Sequence, residues 1–247
     1  MTDPVLTPAD FSPLRIGLGP LEMAAWLSPR PGDEPLLALR RRLVAEKSTE
    51  VLAFLPTGEA PVAELADILR GRGLAMPASG TAAILAAMAD GVAEDLLLLM
   101  PTDGVYVLSA GVLCFPNRWR LLDKIGKAMT AIHAPVPDYA AALAGPVDRF
   151  LDRLRPGRAF TRGNWGLASS PDLHLPLSVA PVDPVANTGF LRTEEQGFVK
   201  LPVTGAVVFS IRTTVIPWDQ APEAERAMIR EVAGALSPDW RAYKSLK

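Results

Sequence analysis

The sequence predicts an α+β fold, and three observations carry that reading. Apolar residues recur at helical spacing through the first third of the chain, two strand-like runs bracket an Asp-Gly turn, and three longer strand-like runs follow. Hydrophobic residues make up 49% of the 247 positions and charged residues 21%, enough apolar material for one substantial core and too much for a disordered chain.

Each element has its own signal. Residues 1–35 are rich in proline and glycine and read as an irregular arm, with Ile16-Gly17-Leu18-Gly19-Pro20-Leu21 packing on the body. Leu36, Leu39 and Leu43 recur at helical spacing beside Arg40, Arg41 and Arg42, and Pro56 stops that run. A second helix, 62–70, closes at Gly71 and Gly73, and a third, alanine-rich, covers 81–89 and closes at Asp90-Gly91. Residues 95–100 read as a buried strand, Pro101-Thr102-Asp103-Gly104 as a hairpin turn, and 105–115 as the returning strand. Residues 119–125 look helical, 132–137 are too proline-rich to be, and 138–154 form a helix interrupted at Gly145-Pro146. Strands are expected at 159–168, 189–201 and 205–216, with a proline-rich surface loop at 170–188. Pro222 opens a last helix that carries Met228, Ile229, Val232 and Leu236 on one side.

Two antiparallel strands, helices, then three strands is the chain order of a PAS domain. The expected architecture is therefore a PAS-like five-stranded antiparallel sheet with a helical insert, an N-terminal helical arm and a C-terminal helix. The arm and its helices take residues 1–91 and the ligand-binding core 92–247.

Charge and composition exclude several classes of partner. Lys plus Arg is 25 and Asp plus Glu is 27, a net charge of -2 that gives no electrostatic reason to expect nucleic acid or an anionic membrane. The lone Cys114 excludes an intrachain disulfide framework and fits a reducing compartment. The start lacks a basic, apolar leader, and no apolar run is long enough to span a bilayer, so a cytoplasmic location is expected.

Only two histidines are present, His133 and His174. His133 lies in Ala131-Ile132-His133-Ala134-Pro135-Val136-Pro137, inside the helical insert, where a neutral imidazole can offer one nitrogen to a metal. A lone histidine is ordinarily structural, with both nitrogens hydrogen-bonded. Two histidines and one cysteine are too few for a closed zinc site, and a histidine–carboxylate iron site is hard to build from two distant histidines. Haem needs only one axial protein ligand, so one well-placed histidine suits haem better than a bare metal. His174 sits in the proline-rich loop and reads as an exposed or packing residue. Cys114 reads as a small hydrophobe in a strand.

Other residues have weaker claims. Strand alternation puts Glu194 on one face with Arg192 and Gln196, and puts Arg212 on the face opposite Phe209 and Ile211. Either they are solvated sheet residues, or they form a polar cluster in an apolar pocket that polarises oxygen or holds a cationic substrate. Arg118, Trp119 and Lys124 gather basic and aromatic groups at a strand-to-helix junction, suited to haem propionates or simply to a helix start. Trp165 is a tryptophan on a strand, whose ordinary role is core packing.

Several segments together resemble one family. They include Cys114-Phe115-Pro116-Asn117-Arg118-Trp119-Arg120-Leu121, Ile132-His133-Ala134-Pro135-Val136-Pro137, Arg162-Gly163-Asn164-Trp165, Arg192-Thr193-Glu194-Glu195-Gln196 and Gly205-Ala206-Val207-Val208-Phe209-Ser210-Ile211-Arg212-Thr213. Arg15-Ile16-Gly17-Leu18-Gly19-Pro20-Leu21 with Trp26 extends the likeness to nearly the whole chain. The sequence resembles the alpha subunit of haem-dependent oxidative N-demethylase.

That resemblance implies a haem-binding PAS fold turned to catalysis, oxidising a small secondary amine such as dimethylamine with dioxygen and NADPH. It implies haem b on this chain, with His133 as the axial ligand and Arg118, Trp119, Lys124 and Trp165 around the cofactor. Arg212 then faces oxygen, and Glu194 steers the ammonium. It places FMN, an iron–sulfur cluster, NADPH and tetrahydrofolate on partner reductase subunits only. The chain departs from the family pattern at Gly163 and Gly166, and at Thr214 where tyrosine is expected, which leaves the identity of the amine open. A haem-based gas sensor, or a haem protein without catalysis, is the alternative. A haem-free scaffold that only binds partners is the third.

Overall fold

The computed structural model describes residues 17–177, 181–184, 186, 189–244 and 246–247. Arg15 and Ile16 of the arm motif, and part of the 170–188 loop, lie outside the described residues. The strands are β1 (Gly19–Leu21), β2 (Leu52–Phe54), β3 (Asp95–Thr102), β4 (Val105–Val112), β5 (Ala159–Ala168), β6 (Phe190–Lys200) and β7 (Val207–Pro217). The helices are α1 (Glu34–Val51), α2 (Glu59–Gly71), α3 (Thr81–Gly91), α4 (Met129–Ile132), α5 (Ala144–Arg153), α6 (Glu223–Ala235) and α7 (Pro238–Tyr243). This is an α+β chain.

All strand pairs are antiparallel, in the order β1-β5-β6-β7-β3-β4-β2. The sheet thus has seven strands among the described residues, not the expected five. The five expected strands form its middle. The additions are β1, pairing Gly19 with Thr161, and β2, pairing Ala53 with Gly111. Each is three residues long, too short to show alternation in sequence. The β3–β4 hairpin turns at Asp103 (φ 49°) and Gly104 (φ 82°), both left-handed as a two-residue type I′ turn requires.

The two faces of the sheet are covered by different segments. Leu96, Leu98 and Val208 point to one face and pack with Leu43, Leu65 and Leu85 of α1–α3. Leu97, Leu99, Val207 and Ile211 alternate to the other face, against Leu121, Leu151 and Leu154 of the insert. On the helix face, Trp26 Nε1 donates to Ser210 Oγ at 3.1 Å. A Cβ at Gly197 would lie 2.4 Å from that oxygen and 3.3 Å from Trp26 Cδ1, so close packing demands glycine there. Further along, α6 packs Ile229 and Ala233 on Trp165, Leu191 and Trp218.

A buried ion pair fixes the crossing into the insert. Arg40 Nη1 lies 2.5 Å from Asp95 Oδ1, and Asp95 also accepts from the backbone N–H of Cys114 (2.7 Å) and Phe115 (2.8 Å). The insert is tied to β4 as well: Gly126 N donates to Leu108 O (2.8 Å) and Leu108 N to Lys127 O (3.1 Å).

Two helical expectations change. Residues 119–125 hold only a short 3-10 turn at Leu121–Asp123, because Arg118 is left-handed (φ 62°) and Arg120 extended. The 138–154 helix is not broken at Gly145-Pro146. Asp138 enters it in the left-handed region (φ 58°), and a wider π turn at Tyr139–Leu143 runs into α5. Pro146 has no N–H to donate and its ring crowds the preceding turn, and the wider turn N-terminal to it absorbs this.

Candidate functional site

The register of the central strands turns the insert face into cross-strand rows. Phe160, Phe198 and Phe209 form one row; Arg162, Gln196 and Ile211 the next; Asn164, Glu194 and Thr213 the third. The face grades from apolar to polar. Phe198 and Phe209 stack with ring centroids 4.9 Å apart, and Phe150 of α5 meets Phe198 edge-on at 5.4 Å. Phe198 and Phe209 belong to interior strands yet stay only half-buried, so the insert does not seal this face. An open aromatic floor of this kind suits a flat apolar ligand.

His133 follows α4 directly and is half-buried. Its Nδ1 lies 2.9 Å from Met129 O, one helical turn back. A carbonyl only accepts, so Nδ1 carries the proton and the Nε2 lone pair is left available. Burial pushes this imidazole below the usual histidine range; the bond to Met129 opposes that, and Lys124 and Arg162 reinforce it. The imidazole is therefore neutral near pH 7, the form a metal requires. Tyr139 stacks on the ring at 4.4 Å and 11°, and its buried hydroxyl has no partner among the described residues.

This donor arrangement fits haem. It provides a neutral imidazole oriented by a backbone carbonyl, an aromatic floor, and a buried hydroxyl with unused hydrogen-bonding capacity. No group of three or more His, Cys, Asp or Glu side chains able to hold a bare metal occurs among the described residues.

The other expected site residues divide. Lys124 stands beside His133, its Nζ donating to Ile132 O at 2.5 Å. Trp119 is half-buried against the apolar cluster of the insert face. Arg118 is half-buried, and its Nη1 donates to Tyr243 O at 2.9 Å. Glu194 is buried on the insert face, where its Oε2 accepts from Asn164 Nδ2 (3.1 Å) and Gln196 Nε2 (2.8 Å).

Arg212 and Trp165 are not part of this group. Arg212 alternates to the helix face, where it pairs with Asp33 and Glu94. The expectation that it faces oxygen beside His133 is corrected by that placement. Trp165 is buried on the helix face with Trp218, and exposed Thr214 shares that face with Arg212, so neither lines the insert side. The β7 residue that does is Thr213. Its hydroxyl is buried next to Glu194 without a partner among the described residues, and strict alternation from Phe209 and Ile211 would have found it.

His174 is more than a packing residue. Its Nδ1 lies 2.8 Å from Cys114 O, its Nε2 is buried without a partner among the described residues, and it lines a 220 Å³ cleft with Glu50, Arg120 and Asp123. That cleft is smaller than ordinary ligand pockets of ~300–1,000 Å³.

No helix among the described residues is long and apolar enough to cross a membrane. Residues 71–247 match the family described as haem-dependent oxidative N-demethylase, alpha subunit-like. That match spans both sides of the sheet, the insert and His133, and takes in well over half of the chain. The chain therefore belongs to the haem-dependent oxidative N-demethylase alpha subunit-like family.

Proposed function

We propose that this chain is the haem-binding catalytic subunit of an oxygen-dependent oxidative N-demethylase acting on a small secondary amine such as dimethylamine. The observation that carries the reading is the His133 Nδ1–Met129 carbonyl bond, which leaves the Nε2 lone pair available on the insert, whose Met129 and Ile132 pack with Phe198 and Phe209. Membership of the family supplies the chemistry. The chain order of two strands, insert and three strands in one antiparallel sheet supports a PAS-like core over 92–247, to which the described residues of 1–91 add the edge strands β1 and β2 and the helices α1–α3.

Haem b, when bound, supplies the one-electron and dioxygen chemistry that no side chain provides. The chain's own residues do the rest. His133 would hold the iron through Nε2, with Met129 O fixing the tautomer. Phe160, Phe198 and Phe209 give an apolar floor on which a flat ligand would displace water from the reacting centre. Glu194, its Oε2 steadied by two amide donors, is the carboxylate that pairs with the amine. The sequence has no Gly-rich nucleotide loop and no cysteine set for a cluster. Electrons from NADPH would therefore arrive from a separate reductase subunit with FMN and an iron–sulfur cluster, and tetrahydrofolate would take up the formaldehyde there. The lone unpaired Cys114 fits a cytoplasmic location.

The test has two stages. The purified protein should take up haem with a strong Soret band, and His133→Ala should lose it. With a reductase and NADPH, a secondary amine should then shift the haem spectrum and release formaldehyde. Absence of haem uptake by the wild type overturns the reading. Haem uptake without formaldehyde from any amine in a panel leaves a sensor or carrier.

A further inference from the structure

We infer that Tyr139 is a positioning residue for His133: its ring lies flat on the imidazole and holds the plane in which Nε2 offers its lone pair. The inference rests on the reading that His133 is the axial ligand of a bound haem.

The chain between the two residues brings their rings together. Val136 N donates to His133 O at 2.8 Å and Tyr139 N to Val136 O at 3.3 Å, so two successive turns carry the backbone from one to the other. Pro135 and Pro137 fall inside those turns and fix φ within them. Asp138 then takes the left-handed region (φ 58°), uncommon outside glycine though tolerated by aspartate. Tyr139 opens the π turn that runs into α5, and α5 is anchored on the insert face through buried Leu151. Left-handed residues other than glycine and π turns both concentrate at functional sites.

The result is a fixed pair. The ring centroids lie 4.4 Å apart with the planes 11° from parallel, and Tyr139 is only 5% exposed. His133 is thereby held in two independent ways. The Met129 carbonyl takes the Nδ1 proton at 2.9 Å along one edge of the ring, and Tyr139 covers one face. The terminal torsion of a histidine is broad, so a hydrogen bond at one edge still lets the ring rock. A flat neighbour suppresses that motion. Neither contact uses Nε2.

The ring of Tyr139 carries this role and its hydroxyl does not. That oxygen is buried without a partner among the described residues, so no hydrogen bond of its own fixes where Tyr139 stands. Packing and the stack do.

The stack has an electronic consequence. The face of a phenol ring is electron-rich and attracts a neighbour that carries positive charge. An imidazole on ferric iron is more positive than the same imidazole on ferrous iron. Tyr139 therefore favours the ferric form and lowers the reduction potential. A tenfold preference corresponds to ~59 mV for one electron.

Substitutions at position 139 separate this role from packing. Tyr139→Phe keeps the aromatic face and drops the hydroxyl. Pentafluorophenylalanine in place of Tyr139 keeps nearly the same shape and withdraws electron density from the face. Tyr139→Leu removes the face. In a redox titration of the full-length, haem-loaded protein, Tyr139→Phe should stay near wild type. The fluorinated protein and Tyr139→Leu should both shift upward, by about 59 mV if the preference is tenfold. Tyr139→Leu should also broaden the ferric EPR signal as ring orientations spread, and the fluorinated protein should not. Should Tyr139→Leu fail to fold, the fluorinated protein against Tyr139→Phe decides. In the haem-free chain, the ring current of residue 139 should move the His133 ring protons upfield in wild type and Tyr139→Phe, and not in Tyr139→Leu. No haem uptake with that upfield shift present overturns the haem reading and leaves Tyr139 as the group that holds His133. An unshifted His133 ring in the wild type, or potentials and EPR signals alike in all of these proteins, overturns the inference.

Discussion

Arg212 and Asp33, 179 residues apart in the chain, meet in a two-point ion pair, Nη1 to Oδ1 at 2.6 Å and Nη2 to Oδ2 at 3.2 Å. Arg212 Nε also donates to Glu94 Oε1 at 2.9 Å. The guanidinium thus clamps the start of α1 and the approach to β3 onto the helix face of β7. Arg212→Ala should lower the melting temperature, at a cost of about 3 kcal/mol for leaving buried Glu94 and half-buried Asp33 without their partner. The folded fraction should keep the haem spectrum of the wild type. A spectral change without lost stability would return Arg212 to the haem side.

Asp33 makes the same clamp sensitive to acid. Burial pushes its carboxyl up, but the hydrogen bonds from Arg212 and the Arg30 N–H, with the charges of both, hold it below its ordinary 3.8. Its stabilising contribution is present above that value and is lost as pH falls through the lower folded value. Asp33→Asn should be less stable than wild type at pH 7, and the gap in urea midpoints should close below about pH 4.

His133→Gly should lose haem, and free imidazole should restore the Soret band by filling the space the side chain leaves. The Met129 carbonyl would orient the added imidazole as it does His133. A glycine variant that holds haem unaided would show that His133 is not the ligand.

Lys244 is buried, and burial lowers its amine from 10.5 to about 7, an effect only partly opposed by Glu194. Between those values the unfolded chain binds a proton that the folded chain does not, so stability rises with pH across this window by about 1.4 kcal/mol per unit. Below pH 7 the full penalty for burying the charge applies. Lys244→Met should flatten the wild-type rise in urea midpoint between pH 7 and 10.

Burial raises the Cys114 thiol to about 12, aided by Asp95 and opposed by Arg40. The native protein should resist iodoacetamide at pH 8, and label in step with unfolding when urea is added. Rapid labelling of the native state would contradict its placement at the Asp95 crossing.

The sequence announced the central strands because each has a local cause. Residues 159–168 form β5 with the expected limits, and Asp103-Gly104 makes the expected turn. It did not announce β1, β2 or α7, which are three, three and six residues long and exist because the sheet and the helix face receive them. His133 stood out as a candidate from its motif and from the scarcity of other possible ligands. Thr213 was within reach of strict alternation from Phe209 and Ile211, whereas nothing in the local sequence of Lys244 says that its amine meets Asn164 and Trp165.

The arrangement on β7 shows where the sequence stops. Alternation alone determined that Arg212 and Phe209 point to opposite faces. It could not say which face meets the insert, because Val208 and Ser210 on one side pack as well as Phe209 and Ile211 on the other. Tertiary structure decided that when α1–α3 took the Arg212 face and the insert, tied to β4 at Leu108, took the other. Arg212 therefore holds the fold together, and its neighbour Thr213 is buried beside Glu194 on the face that the insert covers.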